Sequence, residues 1–146
     1  MTFEQKLHKD RENVLMFCSK FEKLYLYGAG AIANYFLLYL EEENITIDGF
    51  IVSEKDKGKN TKLNSLPVYA LGDIKLDKKC GIIIAIGKIS TQKKIIEKLK
   101  QVGVDGNHIL ANSIYIVNEE KPPLFSEDVN DVFFLNIQNW IKLEVI

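Results

Sequence analysis

Hydrophobic positions recur at two spacings along this chain, and the alternation between them predicts its architecture. In residues 3–22, Leu7, Val14, Leu15, Phe17, Cys18 and Phe21 fall near helical spacing with charges between them, which predicts a leading helix. Lys23-Leu24-Tyr25-Leu26-Tyr27 is short, aromatic and strand-like, and it runs straight into Gly28-Ala29-Gly30. Residues 31–43 return to helical spacing, with Ala33, Phe36, Leu37 and Leu40 on one face. Residues 45–52 read as a second strand, and a polar, lysine-rich loop is expected over 53–65. Leu66-Pro67-Val68-Tyr69 is a brief extended piece, because Pro67 biases Leu66 away from helix. Residues 70–74 suit a turn of helix.

Residues 81–87 (GIIIAIG) form a continuous apolar run, the mark of a parallel strand buried on both faces. Residues 90–102 predict a lysine-rich amphipathic helix with Ile95, Ile96, Leu99 and Val102 inward, capped by Ser90 or Thr91 and stopped by Gly103. His108-Ile109-Leu110 is a further short strand, and residues 114–117 an edge strand. Residues 118–128, with Pro122-Pro123, read as a linker. Residues 129–146 are apolar enough to pack on the domain or on a partner, but Val132, Phe133, Leu135, Ile137 and Trp140 fit neither period. The expected organisation is a leading helix over 1–22, an α/β domain over 23–117, and a linker with a C-terminal element over 118–146. Helices alternating with strands predict a mostly parallel sheet covered on both faces.

Composition narrows this picture. A chain of 146 residues fits one compact domain. It is too short for an eight-fold βα barrel of about 250 residues. Hydrophobic residues at 47% and charged residues at 27% are ordinary globular usage. The net charge of −1 gives no electrostatic footprint for nucleic acid or an anionic membrane. No apolar run approaches the ~20 residues of a membrane span, and the charged start is unlike a secretory signal, so a cytoplasmic protein is expected. Arg11 is the sole arginine. Any anion site must therefore rest mostly on backbone amides or lysines.

One motif carries chemistry. Gly28-Ala29-Gly30-Ala31-Ile32-Ala33 lies between a predicted strand and a predicted helix, in the G-x-G-x-x-A form of the dinucleotide fingerprint. Gly28 permits a tight turn, Gly30 lets a pyrophosphate approach the backbone, and Ala33 allows close helix–sheet packing. The helix start supplies free N–H groups and partial positive charge. The competing reading is that these glycines serve only the turn. A nicotinamide site usually has an acid at the end of the second strand for the ribose hydroxyls. Here the first polar position is Ser53, followed by Glu54. Ser53 with Lys55 or Lys57 could face a phosphate or another sugar hydroxyl instead, and a solvated charged loop is an equal reading of this stretch. Gly87 and Lys88 would lie at the same carboxyl edge of the sheet, with Gly87 serving either a ligand or the turn alone. Other chemistry is missing from the sequence: there is no Walker-type loop, no G-x-S-x-G elbow, no D-x-D and no Tyr-x-x-x-Lys pair. His8 and His108 have no ligand-spaced partners, and Cys18 and Cys80 form no metal or disulfide pattern.

The segments YLYGAGAIANYFLLYL, IDGFIVSE, LPVYALGDI, GIIIAIG and GVDGNHIL, in that order, resemble a bacterial module. It is the small Rossmann-like domain of surface-polysaccharide enzymes. Relatives include CapD-type nucleotide-sugar dehydratases and epimerases, sialic-acid-type sugar acyltransferases, and glycosyltransferase- or FkbM-associated chains. The resemblance covers about residues 23–111. It departs from the pattern at Ala31-Ile32, where acyltransferase relatives often have Gly-His, at Ser53, where many have Asp, and at Ser65, where a glycine is usual. It implies a Rossmann-like three-layer fold and a nucleotide or nucleotide-sugar site at Gly28, Gly30, Ser53 and Gly87. The backbone of residues 29–32 (Ala29, Gly30, Ala31, Ile32) would hold phosphates, Ser53 and Glu54 would meet a ribose or sugar, and Lys88 would add a phosphate contact. The relatives' catalytic domains are not represented, so no catalytic residue is assigned and this chain alone is expected not to be catalytic. Two alternatives remain at this stage: the cofactor portion of an NAD(P)-dependent dehydratase or epimerase, and a non-binding oligomerisation domain. A catalytic companion or a second copy of the chain is the macromolecular partner to consider.

Overall fold

A computed structural model of the chain describes residues 2–57 and 62–111. The predicted edge strand at 114–117, the linker at 118–128 and the element at 129–146 lie outside the described residues.

Helix α1 (Phe3–Ser19) starts with a capping box: the Thr2 hydroxyl accepts from the Gln5 backbone N–H, and the Gln5 side chain accepts from that of Thr2. It stops three residues before the expected end. The backbone N–H groups of Glu22 and Lys23 turn instead to the Lys79 carbonyl, which feeds the chain into the sheet. Strand β1 (Lys23–Tyr27) and helix α2 (Ala31–Glu42) follow as expected. The end of α2 is a Schellman motif: Asn44 takes a left-handed conformation (φ 60°), Ile45 donates to Leu40 and Asn44 to Glu41.

Strand β2 is Gly49–Val52, shorter than the expected 45–52. Before its start a side chain replaces one of two ladder bonds. The Asp48 carboxylate accepts from the Leu24 N–H at 2.9 Å, while the Asp48 N–H donates to the Leu24 carbonyl at 2.8 Å. The expected loop at 53–65 holds two elements, a single turn α3 (Glu54–Lys57) and strand β3 (Lys62–Leu63). Strand β3 pairs antiparallel with β4 (Leu66–Ala70) through a two-residue turn in which Asn64 and Ser65 both have positive φ, as tight hairpin turns require. The helical turn expected at 70–74 is a 3₁₀ turn at Leu71–Asp73.

Strand β5 is Cys80–Ile84, so Gly87 sits in the following loop rather than at the strand's last residue. Helix α4 (Ile89–Gln101) begins at Lys88, which caps it with no side-chain bond; neither Ser90 nor Thr91 is the cap. Its end is a second Schellman motif, with Gly103 at φ 95°, Val104 donating to Leu99 and Gly103 to Lys100. Val102 is 58% exposed and not inward, because it stands at the helix cap. Strand β6 is Ile109–Leu110.

The sheet order is β3-β4-β2-β1-β5-β6, parallel throughout except for β3. Helices α1 and α2 cover one face over Leu24, Leu26, Phe50 and Ile83; α4 and the 71–76 crossover cover the other over Tyr25, Tyr27, Ile51 and Ile82. The fold is therefore the α/β three-layer, Rossmann-like one. The chain winds outward from β1 through β2 to β4, then returns to the opposite side of β1 for β5 and β6. The carboxyl edge beside β1 is thus the topological switch point, where such sheets bind ligands.

Burial beneath α4 also gives the fold an alkaline limit. It pushes the Tyr25 phenol up to about 12, with smaller contributions from neighbouring Cys80 and Asp48. The unfolded phenol ionises near 10, so between pH 10 and 12 the unfolded state binds fewer protons and stability falls as pH rises. Tyr25→Phe should flatten that decline in urea denaturation across pH 9–12. An unchanged slope would place the alkaline sensitivity elsewhere.

Candidate functional site

The end of β1 is fastened on both sides. The Gly28 N–H donates to the Ile51 carbonyl at 2.8 Å, and the Tyr27 carbonyl accepts from the Ala85 N–H at 2.9 Å. Gly28 is buried with φ 119°, a conformation that side-chain-bearing residues rarely adopt. A Cβ there would also lie 2.8 Å from the Ile86 side chain and 2.9 Å from the Ala85 carbonyl oxygen. Gly28 is thus required by the segment that follows β5 as well as by the turn.

Gly30 is different. It is exposed, extended (φ −98°, ψ −160°), and forms the N-cap of α2 with no side-chain bond. A Cβ at Gly30 would meet nothing within 4 Å. The space that glycine leaves is therefore open, at the N-cap of α2. Of the neighbouring residues, Ala31 is exposed and Ala29 and Ile32 are half-buried, while Ala33 is fully buried against the sheet.

Ser53, Glu54 and residues 85–88 follow the carboxyl ends of β2 and β5, so they share this edge of the sheet. Their side chains do not converge. The Ser53 hydroxyl donates to the Asp56 carboxylate and opens α3. The Glu54 carboxylate lies over Gly72, after β4. Lys88 is exposed and Gly87 is buried. Ser53 and Glu54 instead help to wall a cavity of about 450 Å³ with Tyr27, Lys55 and Lys98. That volume is in the range of small-molecule sites. Gly30, Ile32, Gly87 and Lys88 are outside its lining.

Tyr27 and Lys98 are the residues that sequence reasoning missed. Strand alternation held the signal for Tyr27, since it places Tyr25 and Tyr27 together, opposite Leu24 and Leu26. The Tyr27 ring is buried, yet its oxygen is not among the buried unpartnered atoms, and no described residue hydrogen-bonds it. Burial, and secondarily the Asp56 carboxylate, push its phenol above the ordinary value, so it stays a hydrogen-bond donor at neutral pH.

The remaining chemistry is structural. Burial pushes the Cys18 thiol up to about 11 and also raises Cys80, which keeps both in the weakly nucleophilic thiol form. His8 pairs with Glu12 on the surface, and the His108 ring contacts the Cys80 carbonyl. Among the described residues no group of three or more acidic, histidine or cysteine side chains could hold a metal ion, and no helix is long and apolar enough to cross a membrane.

The site and topology define an α/β protein of Rossmann-like form with an uncapped glycine turn at its switch point. No family model matches the chain, and no curated protein or solved structure matches it significantly.

Proposed function

We propose that this chain is a binding module for a nucleotide or nucleotide sugar, with the ligand's phosphates at the turn formed by Gly28, Ala29, Gly30, Ala31 and Ile32. The carrying observation is the open space at Gly30, the N-cap of α2, where no side chain caps the helix. A helix start of this kind offers unpaired N–H groups and the positive end of the helix dipole. Backbone donors suit a chain with a single arginine, Arg11, which lies instead over the Tyr39 ring. The sequence resemblance to polysaccharide-enzyme modules supports a role in bacterial surface-polysaccharide synthesis, with catalysis residing in a companion domain or chain.

The test is a thermal-shift panel of NAD, NADP, UDP, UDP-sugars and S-adenosylmethionine on the full chain. A bound ligand at 100 times its Kd stabilises by about 2.7 kcal/mol, a shift of roughly 8–12 °C for a domain of this size. A selective response to UDP or UDP-sugars is expected. A response to NAD or NADP alone would replace this reading with the cofactor-domain one. No response to any ligand would leave an interaction domain.

A further inference from the structure

Gln92 is the one buried residue with an amide or charged side chain among the described residues, at 2% exposure. It stands on the first turn of α4. Helical side chains lean toward the N-terminus, so it can reach back to the loop that feeds the helix. Its Nε2 donates to the Ile86 carbonyl at 2.6 Å, and its backbone N–H donates to the Lys88 carbonyl at 3.0 Å. Among the described residues no other hydrogen bond holds the main chain of residues 86–88. One residue therefore fastens the β5–α4 loop. The other end of the amide, Oε1, is buried with no partner. A buried unsatisfied acceptor is unfavourable, and a leucine would fill similar space without one. Packing alone therefore does not account for an amide at this position.

The loop carries Ile86, which is half-buried. Its Cδ1 lies 2.8 Å from where a Cβ on Gly28 would stand, so the side chain abuts the glycine from the β5 side. On the other side the Gly28 N–H is tied to the Ile51 carbonyl. We propose that Gln92 is a positioning residue for the glycine turn: by holding the Ile86 carbonyl it seats the Ile86 side chain against Gly28 and fixes the turn in its binding shape. The proposal rests on the phosphate reading of that turn. It adds a residue of α4, on the far face of the sheet from α2, to the parts that shape the site. Ile86 makes the contact and Gln92 sets where Ile86 sits, and neither has to touch the ligand.

Two measurements on the full chain test this. The first is amide hydrogen exchange without ligand. Gln92→Leu should speed exchange at Gly28 by at least about tenfold and leave the amides of β4 unchanged. Gln92→Met, which also keeps the volume and lacks the donor, should do the same and serves if the leucine variant does not fold. Equal acceleration at Gly28 and in β4 would make Gln92 a general stabiliser and overturn the proposal, as would no acceleration at Gly28. The second is a double-mutant cycle on UDP affinity by titration calorimetry. Gln92→Leu and Ile86→Ala should each weaken UDP by roughly tenfold, and the double variant should be no weaker than either alone, because both break one chain of contacts. Additive losses would overturn the route through Ile86. A parent chain that binds no nucleotide would overturn the phosphate reading, while the exchange comparison, made without ligand, still decides whether Gln92 holds the turn.

Discussion

An alanine at Gly28 should cost the domain on the order of 3 kcal/mol or more. Two independent penalties meet at that position. The backbone has φ 119°, where a Cβ is strained by about 1–3 kcal/mol. The new methyl group would also press on the Ala85 carbonyl oxygen and the Ile86 side chain, and overpacking of this kind costs about 1–3 kcal/mol. The carbonyl cannot move aside freely, because the Ala85 N–H is tied to Tyr27. The melting temperature should fall by roughly 10–20 °C, and the urea midpoint should fall with it. A melting temperature within about 2 °C of the parent would show that the β1–β5 junction yields, and would remove the structural reason given for this glycine.

Gly30→Val should have the opposite profile, with little effect on stability and a large effect on binding. The backbone there is extended, a Cβ meets nothing within 4 Å, and the residue is exposed. Exchanging glycine for valine at an N-cap costs under about 1 kcal/mol. The branched side chain would project into the open space over the start of α2, where a phosphate would have to sit. Any panel nucleotide that binds the parent should bind this variant at least about a hundredfold more weakly, a loss of roughly 2.7 kcal/mol by titration calorimetry. Undiminished affinity would show that the phosphates lie elsewhere. The pair of variants thus separates the two readings of the motif: one glycine serves the fold, and the other keeps a space clear.

That division was only half legible in the sequence. The motif itself could be read, because strand, turn and helix signals are local and consecutive. So could the core faces of α2 and α4 and the stop at Gly103. The pressure of Ala85 and Ile86, just after β5, on Gly28 could not, since it joins positions far apart in the chain. The hairpin of β3 and β4 was hidden because Asn64-Ser65 lacks the glycine that usually announces such a turn, and because lysines make its first strand look like a loop. Strand β2 is shorter than its apolar run because at its approach to β1 the Asp48 side chain takes the place of one of the two backbone bonds to Leu24. The proposed contacts of Ser53 and Glu54 were placed at the correct edge of the sheet. Their side chains turn to Asp56 and Gly72, which spacing alone does not reveal. Tyr27 was overlooked because an aromatic residue in a strand reads as core, and its ring is indeed buried.

The central position of β1 also governs the order in which the protein can assemble. On one side β1 pairs with β2 after a short excursion through α2. On the other it waits for β5, where Lys23 meets Cys80 and Tyr27 meets Ile84. Until that segment arrives, one edge of the strand that carries the glycine turn is an unpaired row of amides and carbonyls. Pairings between distant segments form slowly, so closure of this edge should come late in folding. Pulse-labelled hydrogen exchange during refolding should find β2 amides protected before those of β5, and simultaneous protection would contradict this order. Gly28 is then locked only once β5 has paired, because its conformation depends on both neighbours. In a nascent chain the switch-point edge of the sheet would remain unformed until the ribosome had delivered the third quarter of the α/β core.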